Sequence, residues 1–265
     1  MITQDTDSRM QSLLPTTLLA GALCVLGGCA VSEEANSAGA QETTMTIENA
    51  SLQTKIDDYK AGFASRADQE MKDSFQDGID DVLRQGVLDR ATNVGDTAPA
   101  FVLPNASGKS VAHGSLLADR PVIVVWYRGG WCPYCNLTLR AYQERLDEIT
   151  GLGATLVAIS PELPDNALST KEKGALEYEV LTDLDNRVAR EYGVVFDLTE
   201  DVHRRYNELF GFDDHNGQAS GELPLSATYV IDTDGTVTYA FLHHDYRERA
   251  EPSEVIDALR TTVGG

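Results

Sequence analysis

The apolar run Pro121 to Trp126 breaks at Tyr127-Arg128-Gly129-Gly130 into Trp131-Cys132-Pro133-Tyr134-Cys135. Beyond that turn, Leu137, Leu139, Tyr142, Leu146 and Ile149 recur at helical spacing. The order reads as a buried strand running into a tight turn that opens a helix, with Cys132 at the helix start. The unpaired N–H groups and positive dipole end of a helix N-terminus favour a thiolate there. In a Cys-X-X-Cys turn a thiol falls from about 8.5 to roughly 3.5–7.5 in pKa, and the thiolate is the nucleophile. Cys135 lies one turn further on, within reach of Cys132 for a disulfide. Pro133 is tolerated in the first turn, where its missing N–H would have had no partner.

Two other readings of the pair stand beside the redox one. A zinc site takes four nitrogen or sulfur ligands, and beyond the N-terminal segment the sequence offers no second cysteine pair and no histidine at knuckle spacing, His113 being the nearest. Inert buried thiols are the other alternative. The strand–turn–helix setting favours a redox-active pair.

With 265 residues and 42% hydrophobic content, the chain has enough apolar material for one elaborated domain with an appendage. Its formal charge of −21 argues against a nucleic-acid partner, whose phosphates would be repelled. The acidity is read as a solvated surface.

The N-terminal segment reads as an address. Leu13 to Leu26 is apolar but short for a membrane span, and Leu26-Gly27-Gly28-Cys29 is followed by polar sequence. Small residues before a cysteine at this place resemble a bacterial lipoprotein box. That resemblance implies residues 1–28 as a signal peptide, cleavage before Cys29 and lipid on the Cys29 sulfur. It also implies a lipid anchor in the cell envelope facing the periplasm, in the outer rather than the inner membrane because Ala30, not an aspartate, follows. Arg9 is the only basic residue ahead of the apolar run, and an uncleaved anchor or a plain signal peptide is the alternative. On the lipoprotein reading Cys24 is discarded, leaving Cys132 and Cys135 as the free thiols.

Residues 29–46 are small and polar and read as a tether. Leu52, Ile56, Tyr59 and Phe63, then Met71, Phe75, Ile79 and Val82, mark two amphipathic helices in a helical extension over 47–92. From 93 to 265 strands alternate with helices. A hairpin flanks Asn105 to Gly108, and buried strands are expected at Val122–Tyr127, Ala154–Ile159 and Tyr178–Leu181. Helices are expected over Pro133–Ile149, Asn166–Lys173, Asn186–Tyr192 and Thr199–Leu209. A hairpin turns at Asp234-Gly235, and Pro252–Val263 closes the chain. The pattern describes a thioredoxin-like α/β sandwich, a mixed central sheet flanked by helices, with an N-terminal helical extension.

Four ordered motifs make this specific: Val94 to Pro104, Trp126 to Cys135, Val157-Ala158-Ile159-Ser160-Pro161 and Leu181-Thr182-Asp183. Together they resemble the alkyl hydroperoxide reductase C/thiol-specific antioxidant (peroxiredoxin) family, in its branch with both cysteines in one CxxC turn. The resemblance implies reduction of hydrogen peroxide or an organic hydroperoxide by Cys132, giving a sulfenic acid that Cys135 resolves as a disulfide. A thioredoxin-like dithiol then restores the pair, and no cofactor is required. Typical members carry a proline seven residues and a threonine three residues before the peroxidatic cysteine. Here those positions hold Val125 and Gly129, so polarisation of the peroxide falls to backbone N–H groups and to Arg128, whose alternative is a solvated turn residue. The cis-proline that usually precedes the late hairpin strand is replaced by Ser226, with Pro224 two residues early. Three functional readings follow: a thiol peroxidase, an envelope thiol–disulfide oxidoreductase acting on protein cysteines, and a non-catalytic binding module. His243-His244-Asp245 reads as a polar strand end.

Overall fold

The computed structural model describes residues 50–217 and 221–264. The signal-peptide, Cys29 and tether expectations lie outside the described residues. The chain enters through two capped helices, α1 (Leu52–Arg66) and α2 (Gln69–Arg84). The Ser51 hydroxyl accepts from the Thr54 N–H at 3.2 Å, and the Asp68 carboxylate accepts from the Met71 N–H at 2.8 Å, satisfying N–H groups that have no partner inside the helix. Leu52 and Ile56 are buried on α1, and Phe75, Ile79 and Val82 on α2. The short α3 (Val87–Arg90) leads to the hairpin of β1 (Val102–Pro104) and β2 (Ser110–Ala112) and to the turn α4 (His113–Leu117).

The main sheet has the order β5-β4-β3-β8-β9. Its central strand β3 (Val122–Trp126) is buried at every residue, as expected of a strand covered on both faces. From it the chain passes through α5 (Pro133–Gln143) and α6 (Leu146–Gly151) to β4 (Thr155–Ser160), which lies parallel to β3. It continues through α7 (Pro164–Gly174) to β5 (Glu179–Thr182), parallel to β4. The short α8 (Arg187–Glu191) follows, its first N–H groups capped by the buried Asp183 carboxylate, which accepts from Val188 at 3.0 Å and Ala189 at 2.9 Å. Next come β6 (Val195–Asp197), α9 (Glu200–Phe210), α10 (Phe212–Asn216) and β7 (Glu222–Pro224), β6 and β7 forming a separate antiparallel pair. The antiparallel strands β8 (Thr228–Ile231) and β9 (Val237–Phe241) complete the sheet, and α11 (Pro252–Gly264) buries Val255, Ile256 and Leu259. This is a thioredoxin-like mixed α/β sandwich with a helical N-terminal extension.

One expected element is corrected. The helix read over Pro133–Ile149 is two helices, broken where Arg145 takes φ −114° and ψ 9° and its N–H bonds the Tyr142 carbonyl at 3.2 Å. Tyr142 and Ile149 are both fully buried, one on each of the two helices.

Candidate active site

The site is the loop between β3 and α5, and its shape is set from beneath. The Glu162 carboxylate, fully buried, accepts from the Gly130 N–H at 2.8 Å, the Tyr127 hydroxyl at 3.0 Å and the Thr170 hydroxyl at 3.1 Å. Burial, and next the Glu162 charge, push the Tyr127 hydroxyl well above its usual range, so it remains a donor. The Asn136 amide donates to the Gly130 carbonyl at 2.8 Å, and the Cys132 N–H donates to the Gly129 carbonyl at 3.0 Å. Gly129 has φ +149°, and a Cβ placed there would overlap the Trp131 indole. The missing threonine therefore has a steric reason: no side chain fits at 129. Gly129→Thr is expected to lower stability by about 1–3 kcal/mol in denaturant unfolding, the usual range for such backbone strain, rather than to supply a useful hydroxyl.

Cys132 caps the N-terminus of α5 with φ −88° and ψ 113°, and both sulfurs are free and buried. Arg128 is brought against them. Its backbone N–H donates to Cys135 Sγ at 3.4 Å and its Nη1 to Cys132 Sγ at 3.8 Å, while its side chain is 1% exposed. The guanidinium lies over three rings, 4.3 Å from the centre of Tyr246, 4.8 Å from Tyr206 and 4.9 Å from Trp131. No carboxylate pairs with it among the described residues. Its Nε and Nη2 groups are buried without hydrogen-bond partners.

A second arginine completes the charge distribution. Arg249 Nη2 donates to Cys135 Sγ at 3.7 Å and its Nε to the Thr138 hydroxyl at 3.1 Å. Burial pushes the Cys132 thiol up, but the hydrogen bond from Cys135 and the charges of Arg128 and Arg249 outweigh it and hold Cys132 at about 5. Cys135 is pushed the other way, well above its usual value, by burial, by its hydrogen bond to Cys132 and by the Cys132 charge. One sulfur is thus a thiolate at neutral pH and the other a protonated thiol. The rate of alkylation of Cys132 should climb to a plateau with a midpoint near pH 5 and fall below it as the thiolate is protonated. A midpoint near 8.5, the ordinary thiol value, would remove the electrostatic account.

The structure brings Cys132, Cys135 and Arg128 together. It buries Arg128, against the solvated alternative. Val125 is an interior residue of β3, and Ser226 sits just before β8 with its hydroxyl buried and unpartnered. Pro224 is committed to β7, opposite Val195. His243 and His244 stack at 4.6 Å, the His243 ring accepts from the Asp245 N–H at 3.0 Å, and Asp245 is paired to Arg247 at 2.7 Å. No metal-binding cluster occurs among the described residues. Sequence reading missed Arg249, Glu162, Tyr206 and Tyr246. Arg249 lies 114 residues from the thiol it touches, and nothing local marks it. Glu162 follows Ser160-Pro161 at the end of the third motif, and that position was the one available signal.

The acidic thiol thus sits at a helix start, on the loop after the central strand of a thioredoxin-like sheet. A profile of the AhpC/TSA family matches residues 94–240, and the chain belongs to that family. Peroxiredoxin Bcp of Escherichia coli (strain K12) is 30% identical over 94 residues, covering 36% of this chain and 60% of that protein. Chloroplastic peroxiredoxin Q of Suaeda salsa is 28% identical over 163 residues, covering 62% of this chain and 64% of that protein. The chain thus spans less than two thirds of the length of these curated relatives. The crystal structure of peroxidoxin BcpB from Mycobacterium tuberculosis superposes with a TM-score of 0.51 at 23% identity, covering 64% of this chain and 97% of that one. A peroxiredoxin-like protein from Aquifex aeolicus gives 0.52 at 20% identity, covering 65% and 88%. These two share the fold.

Proposed function

We propose that this protein is a thiol peroxidase that reduces hydroperoxides through Cys132. The observation that carries the reading is the buried Arg128 guanidinium, with two unpartnered N–H-bearing nitrogens, beside a thiolate held at about 5. The Cys132 thiolate attacks the distal peroxide oxygen, the O–O bond breaks, and sulfur is oxidised by two electrons to the sulfenic acid. The departing alkoxide or hydroxide takes a proton and leaves as alcohol or water. The developing negative charge on oxygen lies where Arg128 has donors to offer, which is electrostatic stabilisation of the transition state. Cys135, kept protonated in the resting state, then attacks the sulfenic sulfur, water leaves, and the Cys132–Cys135 disulfide forms. Membership of the AhpC/TSA family supports the same chemistry.

Regeneration falls to a thioredoxin-like dithiol, and the electrostatics give it a route. In the reduced state the thiolate is the countercharge of the buried Arg128; the disulfide carries no charge. A buried ion left without its partner typically costs 3–5 kcal/mol, whereas closing so short a loop returns little entropy. The oxidised protein is therefore expected to unfold at a lower temperature than the reduced one at pH 7, by differential scanning calorimetry, and to expose the disulfide more readily. An equal or higher melting temperature for the oxidised form counts against this route. The oxidoreductase reading is disfavoured because the resting nucleophile is 1% exposed and thus shielded from a protein disulfide.

Lipidation at Cys29 and an envelope location facing the periplasm, in the outer membrane, remain part of the proposal on the sequence alone. Mass spectrometry of the N-terminal peptide of cell-made protein tests it: lipid on Cys29 supports the anchor, and an intact Met1 in a soluble fraction rejects it. One equivalent of hydrogen peroxide added to reduced protein tests the reaction. Loss of both free thiols and a Cys132–Cys135 linked peptide are expected; a slow reaction leaving both thiols free would reject it.

A further inference from the structure

We infer that the N-terminal helices α1 and α2 form one wall of the substrate site, and that Tyr59, Phe63 and Phe75 set the size of hydroperoxide that reaches Cys132. The inference rests on the hydroperoxide reading above. Both helices lie outside the matched family region of residues 94–240, so the wall is an addition to the family domain.

Cys132 borders a void of about 40 Å3, lined from the N-terminal helices by Tyr59, Phe63 and Phe75 and from the rest of the fold by Arg128, Tyr206 and Tyr246. That is a few times the roughly 10–15 Å3 a single water needs, enough for an –OOH group and a small substituent. A neighbouring cavity of about 330 Å3 shares Phe63, Phe75, Tyr134 and Tyr246 with this void. Phe63 and Phe75 therefore line both the void at the sulfur and its roomier neighbour. A peroxide must place its distal oxygen about 3–3.5 Å from the sulfur, aligned for displacement, so its organic group has to pack against the rings that line this void.

The wall is braced. Tyr59 meets Tyr134 edge-on at 5.0 Å, Phe63 meets Phe75 at 5.8 Å, and Phe75 meets Tyr206 at 5.6 Å. The Glu251 carboxylate accepts from the Leu52 and Gln53 N–H groups at 3.1 and 3.0 Å, and Lys55 and Lys60 pair with Glu144 and Glu248 at 2.8 Å each. Those contacts fix the start and middle of α1 to Glu144, just after α5, and to the segment ahead of α11. Interlocked rings on a fixed helix do not yield cheaply to a branched or aryl group, because close-packed interiors resist expansion. The site accordingly takes hydrogen peroxide and slender alkyl hydroperoxides in preference to bulky ones.

Two series on the same proteins test this. The first measures second-order rate constants for hydrogen peroxide, tert-butyl hydroperoxide and cumene hydroperoxide. The second measures alkylation of Cys132 by iodoacetamide and by a pyrenyl maleimide, read on the Cys132 peptide by mass spectrometry, and needs no peroxidase activity. In Phe63→Ala the ratio of bulky to small reagent is expected to rise about tenfold in both series, with Phe63→Leu intermediate. Tyr59→Ala, on the preceding turn, serves where Phe63→Ala fails to fold by circular dichroism. Unchanged ratios in a folded variant overturn the wall. Ratios that rise for alkylation, with no peroxide consumed faster than by free cysteine, retain the wall and overturn the hydroperoxide as its occupant.

Discussion

Cys132→Ser is expected to abolish peroxide turnover, because Cys132 alone sits at the start of α5 with its thiol held at about 5. Cys135→Ser should permit one reaction per molecule and leave Cys132 as a sulfenic acid, or as a mixed disulfide when a small thiol is present. Trapping with a sulfenic-specific reagent followed by peptide mass spectrometry distinguishes the two variants. A trapped adduct on Cys135 in Cys132→Ser, with turnover retained, would reverse the assigned roles. A stability effect accompanies the chemical one. A thiol whose folded-state value is depressed stabilises the fold most fully above its unfolded value, about 8.5, and that stabilisation is lost as pH falls towards 5. The reduced wild type should therefore exceed Cys132→Ser in stability at pH 8–9 by more than it does at pH 5, in denaturant titrations at both values.

Arg128→Met carries the second large effect. Methionine keeps most of the length and packing against Trp131, Tyr206 and Tyr246 while removing the charge and the donors. Loss of one preorganised donor to a developing oxyanion costs ~10²–10³ in rate, and peroxide reduction should fall by that factor. The alkylation midpoint of Cys132 should move up from about 5, because the Arg128 charge is one of the causes that hold it there. Reduction of a small disulfide should suffer much less, since activation by the helix terminus persists. Equal and small losses in both reactions would mean that Arg128 only fills space under the loop. Arg128→Lys is not expected to restore the wild-type rate, because an ammonium cannot reproduce a planar guanidinium held between three rings.

The fold was legible where the sequence carries a period or a punctuation mark. β3 shows as an uninterrupted apolar run, α1 and α2 as stripes at helical spacing, and the β8–β9 turn as Asp234-Gly235. The β6–β7 pair was not legible, since its short strands lie far apart in sequence with no single turn joining them, unlike β1 and β2 around Asn105 to Gly108. The break at Arg145 was missed because the apolar pattern continues across it: Leu139, Tyr142, Leu146 and Ile149 keep helical spacing although the backbone bends. At the site, the two thiols and Arg128 were legible because they share one turn. Arg249 and Tyr246 were not, because tertiary packing after β9 brings one to Cys135 and the other to Arg128, and no short-range rule relates positions more than 100 residues apart. At 129 glycine stands where the family pattern has threonine. The structure gives it a packing origin in the Gly129 backbone and the Trp131 ring.

A thiolate paired to a buried guanidinium is expected to reduce peroxides rather than protein disulfides. Stopped-flow mixing of the reduced protein with hydrogen peroxide, set against insulin-disulfide reduction by the same preparation, tests it most directly. The expected result is a second-order rate with peroxide at least ~10²-fold above that of free cysteine, the contribution of a preorganised donor, and insulin reduction near background. Rapid insulin reduction combined with peroxide consumption no faster than that of free cysteine would contradict it.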